Sequence, residues 1–409
     1  MRRISCIIIG LLFVFSGFVK AVDPVGTGLI FSEYFNAFGL HFPGSFGLVA
    51  GVMLSTLEFL LGVMLLLDFR KNLTAWGTFL LMSFFTVLTL FLALFNPVSD
   101  CGCFGEAIKL SNWETFIKNI IFWPFTLFLF IGRNRTAPLA REWVEYLVGA
   151  LFALFAAGIS FYSYRHLPLM EFMAFRAGNN VAEILDNARN DPGITFETEL
   201  VYSKNGREAL FSVDDLPDST WTFVDSRTRE ISSGIRHKIT DFTVRDEEGR
   251  NVGDSLLAIK PAALVLLVTT EQRLNNKTLD PVKPLLAECI NGERPFYVIS
   301  SVAPSVILSA LEQAGLQMPV YYADIKTLLT MIRSTPGLMV LQDGVVNAKY
   351  AWRDFPSSEE WIRLINTDPE LVVAQSRIHN RLRIEILALT VFLVIFLLRK
   401  GFWFSRRHM

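Results

Sequence analysis

The sequence predicts an α-helical membrane bundle of six spans, with a separate α/β domain between the fifth and sixth, and three observations predict it. Hydrophobic residues make up 52% of the 409-residue chain, which contains 36 phenylalanines, and its mean hydropathy of +0.39 is too high for an ordinary soluble protein. Six segments approach the roughly 20 apolar residues that a bilayer core requires. One long stretch, 165–383, has instead the mixed composition of a globular domain.

The six segments are 4–22, 46–67, 73–95, 115–132, 143–163 and 384–398, the last running on into the aromatic stretch Gly401 to Phe404. Lysine and arginine concentrate in MRR at the start, DFRKN (68–72), RNRTAPLARE (133–142) and RKGFWFSRR (399–407), which alternate with less basic connections. By the positive-inside rule those four stretches, and with them both termini, are cytoplasmic. Loops 23–45 and 96–114 and the domain 165–383 then face the other side, which for a bacterial inner membrane is the periplasm. The first segment also has features of a cleaved signal peptide, with Arg2 and Arg3 before an apolar run that ends in VKA. Its length of about 18 residues and the charge of Lys20 near the cleavage point favour a retained anchor. Membrane lipid is the expected surroundings, and a formal net charge of −1 gives no field for a nucleic-acid partner.

The domain reading is a four-helix membrane bundle over 1–135, a fifth span over 136–164, a connector with a small β element over 165–235, an α/β domain over 236–368, and a last span with a basic tail over 369–409. In 194–235 the runs TFETELVYS, REALFSV and TWTFVDSRTREI, separated by Asn-Gly and Pro-Asp, predict hairpins. ITDFTVRDEEGRNV, from 239, reads as a further hairpin, and AALVLLVTT (262–270) as a buried strand. A helix over 278–291, strand 295–300, helix 304–315, strand 319–322 and helix 324–333 follow. TPGLMVLQDGVVNAKY (335–350) predicts a hairpin, with a closing helix near 357–366.

Four cysteines are too few for a disulfide framework, and no spacing completes a zinc signature. Only Cys101 and Cys103 are close, in NPVSDCGCFGEAIKLSNW (96–113). Residues i and i+2 of a turn can approach within disulfide range, and Gly102 permits backbone angles that a side chain forbids. So small a ring is strained, which favours exchange, and the far side of the membrane lacks the glutathione that keeps thiols reduced. Three readings stand together: a redox-active dithiol, a static bridge or turn, and a metal pair. The last requires His41 with Asp100 or Glu106, a meeting that no spacing enforces, and no metal site is assigned. Cys6 and Cys289 read as small apolar side chains.

Gly47, Gly51, Ser55, Glu58 and Gly62 fall at helical spacing on one face of the second span. Small residues let a neighbouring helix approach, so Glu58 points into the bundle, where a charge is costly. It reads either as a protonatable group in a proton path or beside a quinone, or as an interhelical bonding residue paired with Lys20.

The run GLLFVFSGFVKAVDPVGTG (10–28), the glutamate of the second span and CGCFGEAIKLSNWE (101–114) resemble the DoxX/MauE-like membrane proteins over about residues 1–135. Cys-Gly-Cys-Phe-Gly is the most specific part, with support from Gly17, Lys20, Asp23 and Pro24. The resemblance implies a four-helix bundle similar in shape to the vitamin K epoxide reductase-like disulfide-forming enzymes, and a part in periplasmic thiol chemistry. Cys101, Cys103 and Glu58 are then the candidate catalytic residues, a quinone the candidate cofactor, and periplasmic thiol proteins the candidate partners. Against this, those enzymes use a second cysteine pair, and this bundle adds only Cys6.

The element order of 236–368 resembles the thioredoxin fold, an arrangement found after such bundles in Bacteroidetes. Thr335 and Pro336 fall where that fold carries a cis-proline, which makes them candidate peptide-binding residues. A working thioredoxin has Cys-x-x-Cys after its central strand, where this chain has TTEQRLNN (269–276). Cys289 lies at the far end of the next helix, so the domain reads as a redox-inert adaptor. Two functions therefore remain: a membrane thiol oxidoreductase, or a non-enzymatic scaffold or maturation factor.

Overall fold

The computed structural model describes residues 2–401, except 99–100, 135–139, 191–195, 205–206, 213–219, 231–238, 368–370 and scattered positions between 372 and 392. Its first part consists of α1 (Arg2–Val22), α2 (Pro24–Ala37), α3 (Gly44–Leu67), α4 (Lys71–Phe95), α5 (Asn112–Ile131) and α6 (Glu142–Arg165). Among the described residues, five of these helices are long and apolar enough to cross a membrane: α1, α3, α4, α5 and α6. The sixth predicted segment lies partly outside the described residues; positions 393–401 are helical, and Ile395 packs with Phe59 and Val148.

α1 and α3 form the closest pair, because glycines meet at their crossing. A Cβ on Gly62 would stand 2.5 Å from the Val14 backbone nitrogen, and one on Gly17 would meet the backbone nitrogen of Phe59. Gly47, Gly51, Ser55, Glu58 and Gly62 are all buried on α3. At one end of the bundle the charged connections interlock. Arg2 and Lys71 each reach Asp68 at 2.9 Å, and Arg70 reaches Glu142 at 2.9 Å. Glu145 accepts the backbone N–H groups of Arg70 and Ala140.

Loop 23–45 differs from the expectation of a plain connection, since α2 occupies fourteen of its residues. Asp23 caps this helix by accepting the N–H of Gly26 at 2.8 Å, and Pro24 stands at its first turn, where a missing N–H costs nothing. α2 packs on α3.

After α6 come α7 (Val181–Asn190) and a three-stranded antiparallel sheet of β1 (Phe196–Lys204), β2 (Arg207–Ser212) and β3 (Thr222–Glu230), with β1 central. The larger unit follows as α8 (Gly253–Leu257), β4 (Ala263–Val268), α9 (Asn276–Leu279), α10 (Val282–Asn291), β5 (Phe296–Ser300), α11 (Pro304–Gln313), β6 (Val320–Tyr322), α12 (Ile325–Met331), β7 (Gly337–Gln342), β8 (Val345–Ala351) and α13 (Ser358–Asn366). Its sheet runs β6-β5-β4-β7-β8, with β4, β5 and β6 parallel and β7 and β8 antiparallel.

β4 is apolar throughout because both its faces are covered. Ala263, Val265 and Leu267 enter one core, and Leu264, Leu266 and Val268 the other. The first core also takes in Ala174, Phe175, Val181 and Leu185. Residues 174–190, read from sequence as connector, thus belong to the α/β unit, and the three-stranded sheet interrupts it. The hairpin expected from 239 is reduced to a tight turn with one bridge, Arg245 to Asn251. Arg245 also exchanges backbone bonds with Tyr322 and so covers the free edge of β6.

Candidate thiol and carboxylate site

The end of the bundle opposite the charged connections carries the loop between α4 and α5. Ser111 and Glu114 form a capping box that starts α5. Gly102 has φ +61°, and a Cβ there would press into Ile30 of α2, so glycine alone suits both the turn and its packing. The Gly105 N–H donates to the Gly102 carbonyl at 3.0 Å. This fold-back brings the sulfurs of Cys101 and Cys103 to 2.8 Å; Cys101 is buried and Cys103 partly so.

Two helices hold the loop by its carbonyls. Tyr34 of α2 donates its hydroxyl to the Cys101 oxygen at 2.9 Å. From α1, Ser16 Oγ lies 2.7 Å from the Cys103 oxygen and 2.8 Å from Glu58 Oε2. Lys20, one turn further along α1, donates to both Glu58 oxygens at 2.7 and 2.6 Å, with both side chains almost fully buried. Glu58 and Lys20 thus form a bidentate ion pair inside the bundle.

The two thiols are electrostatically unequal. The hydrogen bond from Cys101 holds the Cys103 thiol well below the ordinary value; Lys118 and Lys20 act in the same direction, while burial and Glu58 oppose them. Cys101 is pushed well above it, first by that same hydrogen bond and then by burial. Lys118 lies on α5 with its ammonium 4.4 Å from the Phe104 ring centroid.

These groups surround a cavity of about 350 Å³ between α1, α2, α3, α4 and α5. Phe31, Phe35, Phe84 and Phe85 give it an apolar wall, while Lys20, Glu58, Cys101, Cys103, Lys118 and Asn119 supply its polar groups. Cys101, Cys103 and Glu58 therefore meet in one place. Cys6 does not, since it lies beside Arg2 and Asp68 at the other end. Among the described residues, no three of His, Cys, Asp and Glu are grouped to hold a metal. His41 is exposed, and Asp100 lies outside the described residues.

Thr335 and Pro336 are joined by a cis peptide bond, and Thr335 Oγ1 accepts the N–H of Thr269 at 3.0 Å. They sit in the α/β unit, two and three residues beyond Arg333, whose guanidinium reaches Asp23 at 2.9 Å and lies 3.8 Å from Glu106. That ion pair is buried, with side-chain exposures of 3% and 9%. Lys326 of α12 reaches Glu33 of α2 at 2.9 Å. The α/β unit is thus tied to α2 and faces the cysteine loop. Cys289 is buried in the core of that unit, and burial pushes its thiol up to about 12.

Sequence reasoning missed Ser16, Tyr34, Lys118, Asn119 and Arg333. For Ser16 a signal existed, since it stands four residues before Lys20 and so on the same face of α1. Nothing local marked Arg333, whose partner is 310 positions away in the chain.

Comparison with known families adds two matches. Residues 2–132 match the family described as Methylamine utilisation protein MauE, and residues 196–233 match a domain of unknown function, DUF8463. Among curated proteins none matches the chain. The part that builds the cavity is similar to the MauE family, and with its five apolar helices the chain is a multi-pass membrane protein.

Proposed function

We propose that this protein is a membrane thiol–disulfide oxidoreductase, in which Cys101 and Cys103 take electrons from reduced periplasmic thiol proteins and pass them to a quinone. The observation that supports it is the convergence of both sulfurs and the Lys20–Glu58 pair on one apolar cavity. In the first half-reaction a partner dithiol exchanges with the Cys101–Cys103 disulfide, so that the partner is oxidised and Cys101 and Cys103 become thiols. In the second, the Cys101–Cys103 bond forms again and two electrons leave with the proton of Cys101, the Cys103 proton having gone to solvent when its thiolate formed. A quinone in the cavity would supply the acceptor for the two electrons, drawing one proton from Cys101 and one from solvent.

The cavity has the size and the few polar groups expected of a small-molecule site, with an aromatic wall for a ring and Lys118 as a donor for a ring oxygen. In the reduced pair Cys103 carries the thiolate and Cys101 the proton, so Cys103 is the electron-rich sulfur. Glu58 is the carboxylate placed to take up a proton as the disulfide forms. The interlocked charged connections at the opposite end support a cytoplasmic location for that end, which leaves the thiol loop and the α/β unit in the periplasm of the inner membrane.

A second reading, a scaffold or maturation factor with a redox-inert thioredoxin-like domain, is favoured by the burial of Cys289 and by the absence of Cys-x-x-Cys after β4. Alkylation trapping in intact cells separates the two. The oxidoreductase requires a mixture of reduced and oxidised Cys101–Cys103, an oxidised fraction that falls when quinones are depleted, and loss of the response in Cys101→Ser and in Cys103→Ser. A bridge that stays oxidised in every condition, or permanently reduced thiols with fully functional serine variants, leaves the scaffold.

A further inference from the structure

Ser16 has one hydroxyl proton and two oxygens within hydrogen-bond distance. The Cys103 carbonyl, at 2.7 Å, can only accept. Glu58 Oε2, at 2.8 Å, accepts when ionised and can donate when protonated. With Glu58 ionised, Ser16 can make a full hydrogen bond to one of these oxygens, and the other is left facing a lone pair. With Glu58 protonated on Oε2, both oxygens are satisfied in line, Glu58 donating to Ser16 and Ser16 to Cys103, while Lys20 keeps its bond to Oε1 but loses its counter-charge.

We propose that Ser16 is a positioning residue that passes the protonation state of Glu58 to the cysteine loop. This rests on the thiol reading only for its use, because the relay itself is a property of the bundle. When Glu58 holds a proton, the Cys103 carbonyl is bonded and the loop is held with its sulfurs adjacent. When Glu58 gives the proton up, Ser16 turns to the carboxylate, and the loop loses its hydrogen bond to α1, keeping the bond from Tyr34 and the ring contact of Phe104 with Phe15. Since forming the Cys101–Cys103 bond releases the proton of Cys101, its uptake by Glu58 holds the loop in its closed position. Return of that proton frees the loop for the next thiol. Among the described residues, Lys20 on α1, Cys101 and Cys103 in the loop, Lys118 on α5 and Tyr34 on α2 are the titratable groups facing this chain of bonds. Phe85, at 5.9 Å from the Lys20 ammonium, is the contact from α4.

The test is the pH dependence of Cys103 alkylation in the full-length protein, purified in detergent and reduced, with iodoacetamide as the probe and mass spectrometry as the readout. The wild type should show two steps, one from the thiol itself and one from Glu58. Glu58→Gln should remove the second step, Ser16→Ala should remove it also, and Ser16→Thr should restore it. A single step in the wild type overturns the proposal, as does an unchanged two-step profile in Ser16→Ala. A step that Ser16→Thr fails to restore assigns Ser16 a packing role only. If Ser16→Ala does not fold, the comparison of wild type, Ser16→Thr and Glu58→Gln decides, together with the infrared band of the protonated Glu58 carboxyl, which must be present in wild type and Ser16→Thr and absent in Glu58→Gln. Because the protein is reduced beforehand, failure of the oxidoreductase reading leaves this outcome untouched.

Discussion

Lys20 and Glu58 place two charges out of water, at a point where the bundle has room for neither alone. Removing one partner of such a pair strands the other and costs about 3–5 kcal/mol, whereas replacing both by apolar residues of similar size is often neutral or better. Glu58→Leu and Lys20→Met are therefore each expected to lower the melting temperature of the solubilised protein, and the double variant to melt above either single one. A double variant that melts as low as the sum of the two losses shows that the pair is not an isolated unit. Glu58 was legible in the sequence because its face of α3 is marked by glycine and serine at helical spacing. Tyr34, Lys118 and Asn119 were not, since each stands in an apolar helix as one polar residue among aromatics, and only the closing of the loop over them makes them a group.

The helices depend on how closely their backbones approach. Gly62 and Gly17 let α1 and α3 cross at backbone contact, and a side chain at either position must push the helices apart. Gly62→Leu should destabilise the bundle by about 1–3 kcal/mol or more, read as a lower melting temperature, while Gly158→Leu on α6, where an added Cβ meets nothing within 4 Å, should leave it unchanged. Equal melting of both variants would remove close approach as the cause. At this scale much of the fold was readable. The five spanning helices have the length and hydropathy the bilayer demands, and β4 is an uninterrupted apolar run because the sheet is buried on both faces. α2 escaped because its 14 residues are too short for a span and its Gly, Thr and Ser content resembles a loop. Residues 174–190 escaped because their role is to complete a core whose other residues lie mostly beyond position 240.

The whole molecule is held together by ion pairs between residues some 300 positions apart. Arg333–Asp23 is buried and Lys326–Glu33 is exposed, and both join the α/β unit to α2. A zero-length carbodiimide should therefore link Lys326 to Glu33 in the wild type, detectable as one crosslinked peptide pair. Arg333→Ala should reduce that link strongly, since the exposed pair alone contributes little. Undiminished crosslinking in Arg333→Ala would show that the docking does not rest on the buried pair. None of this was legible from sequence, because Arg333 and Asp23 stand 310 positions apart and carry no mark of each other.

α2 is gripped from both sides, by Arg333 and Lys326 of the α/β unit and, through Tyr34 and Ile30, by the loop that carries Cys101 and Cys103. Two events that load the same helix share a free energy, and that sharing is reciprocal. On the oxidoreductase reading, any molecule that binds the α/β unit better when Arg333 has left Asp23 must change the equilibrium between the loop's thiol and disulfide forms by some factor if α2 moves with it. Oxidation of the thiols must then change the affinity for that molecule by the same factor, so a domain without a reactive cysteine of its own would still report the redox state of the membrane to whatever it holds.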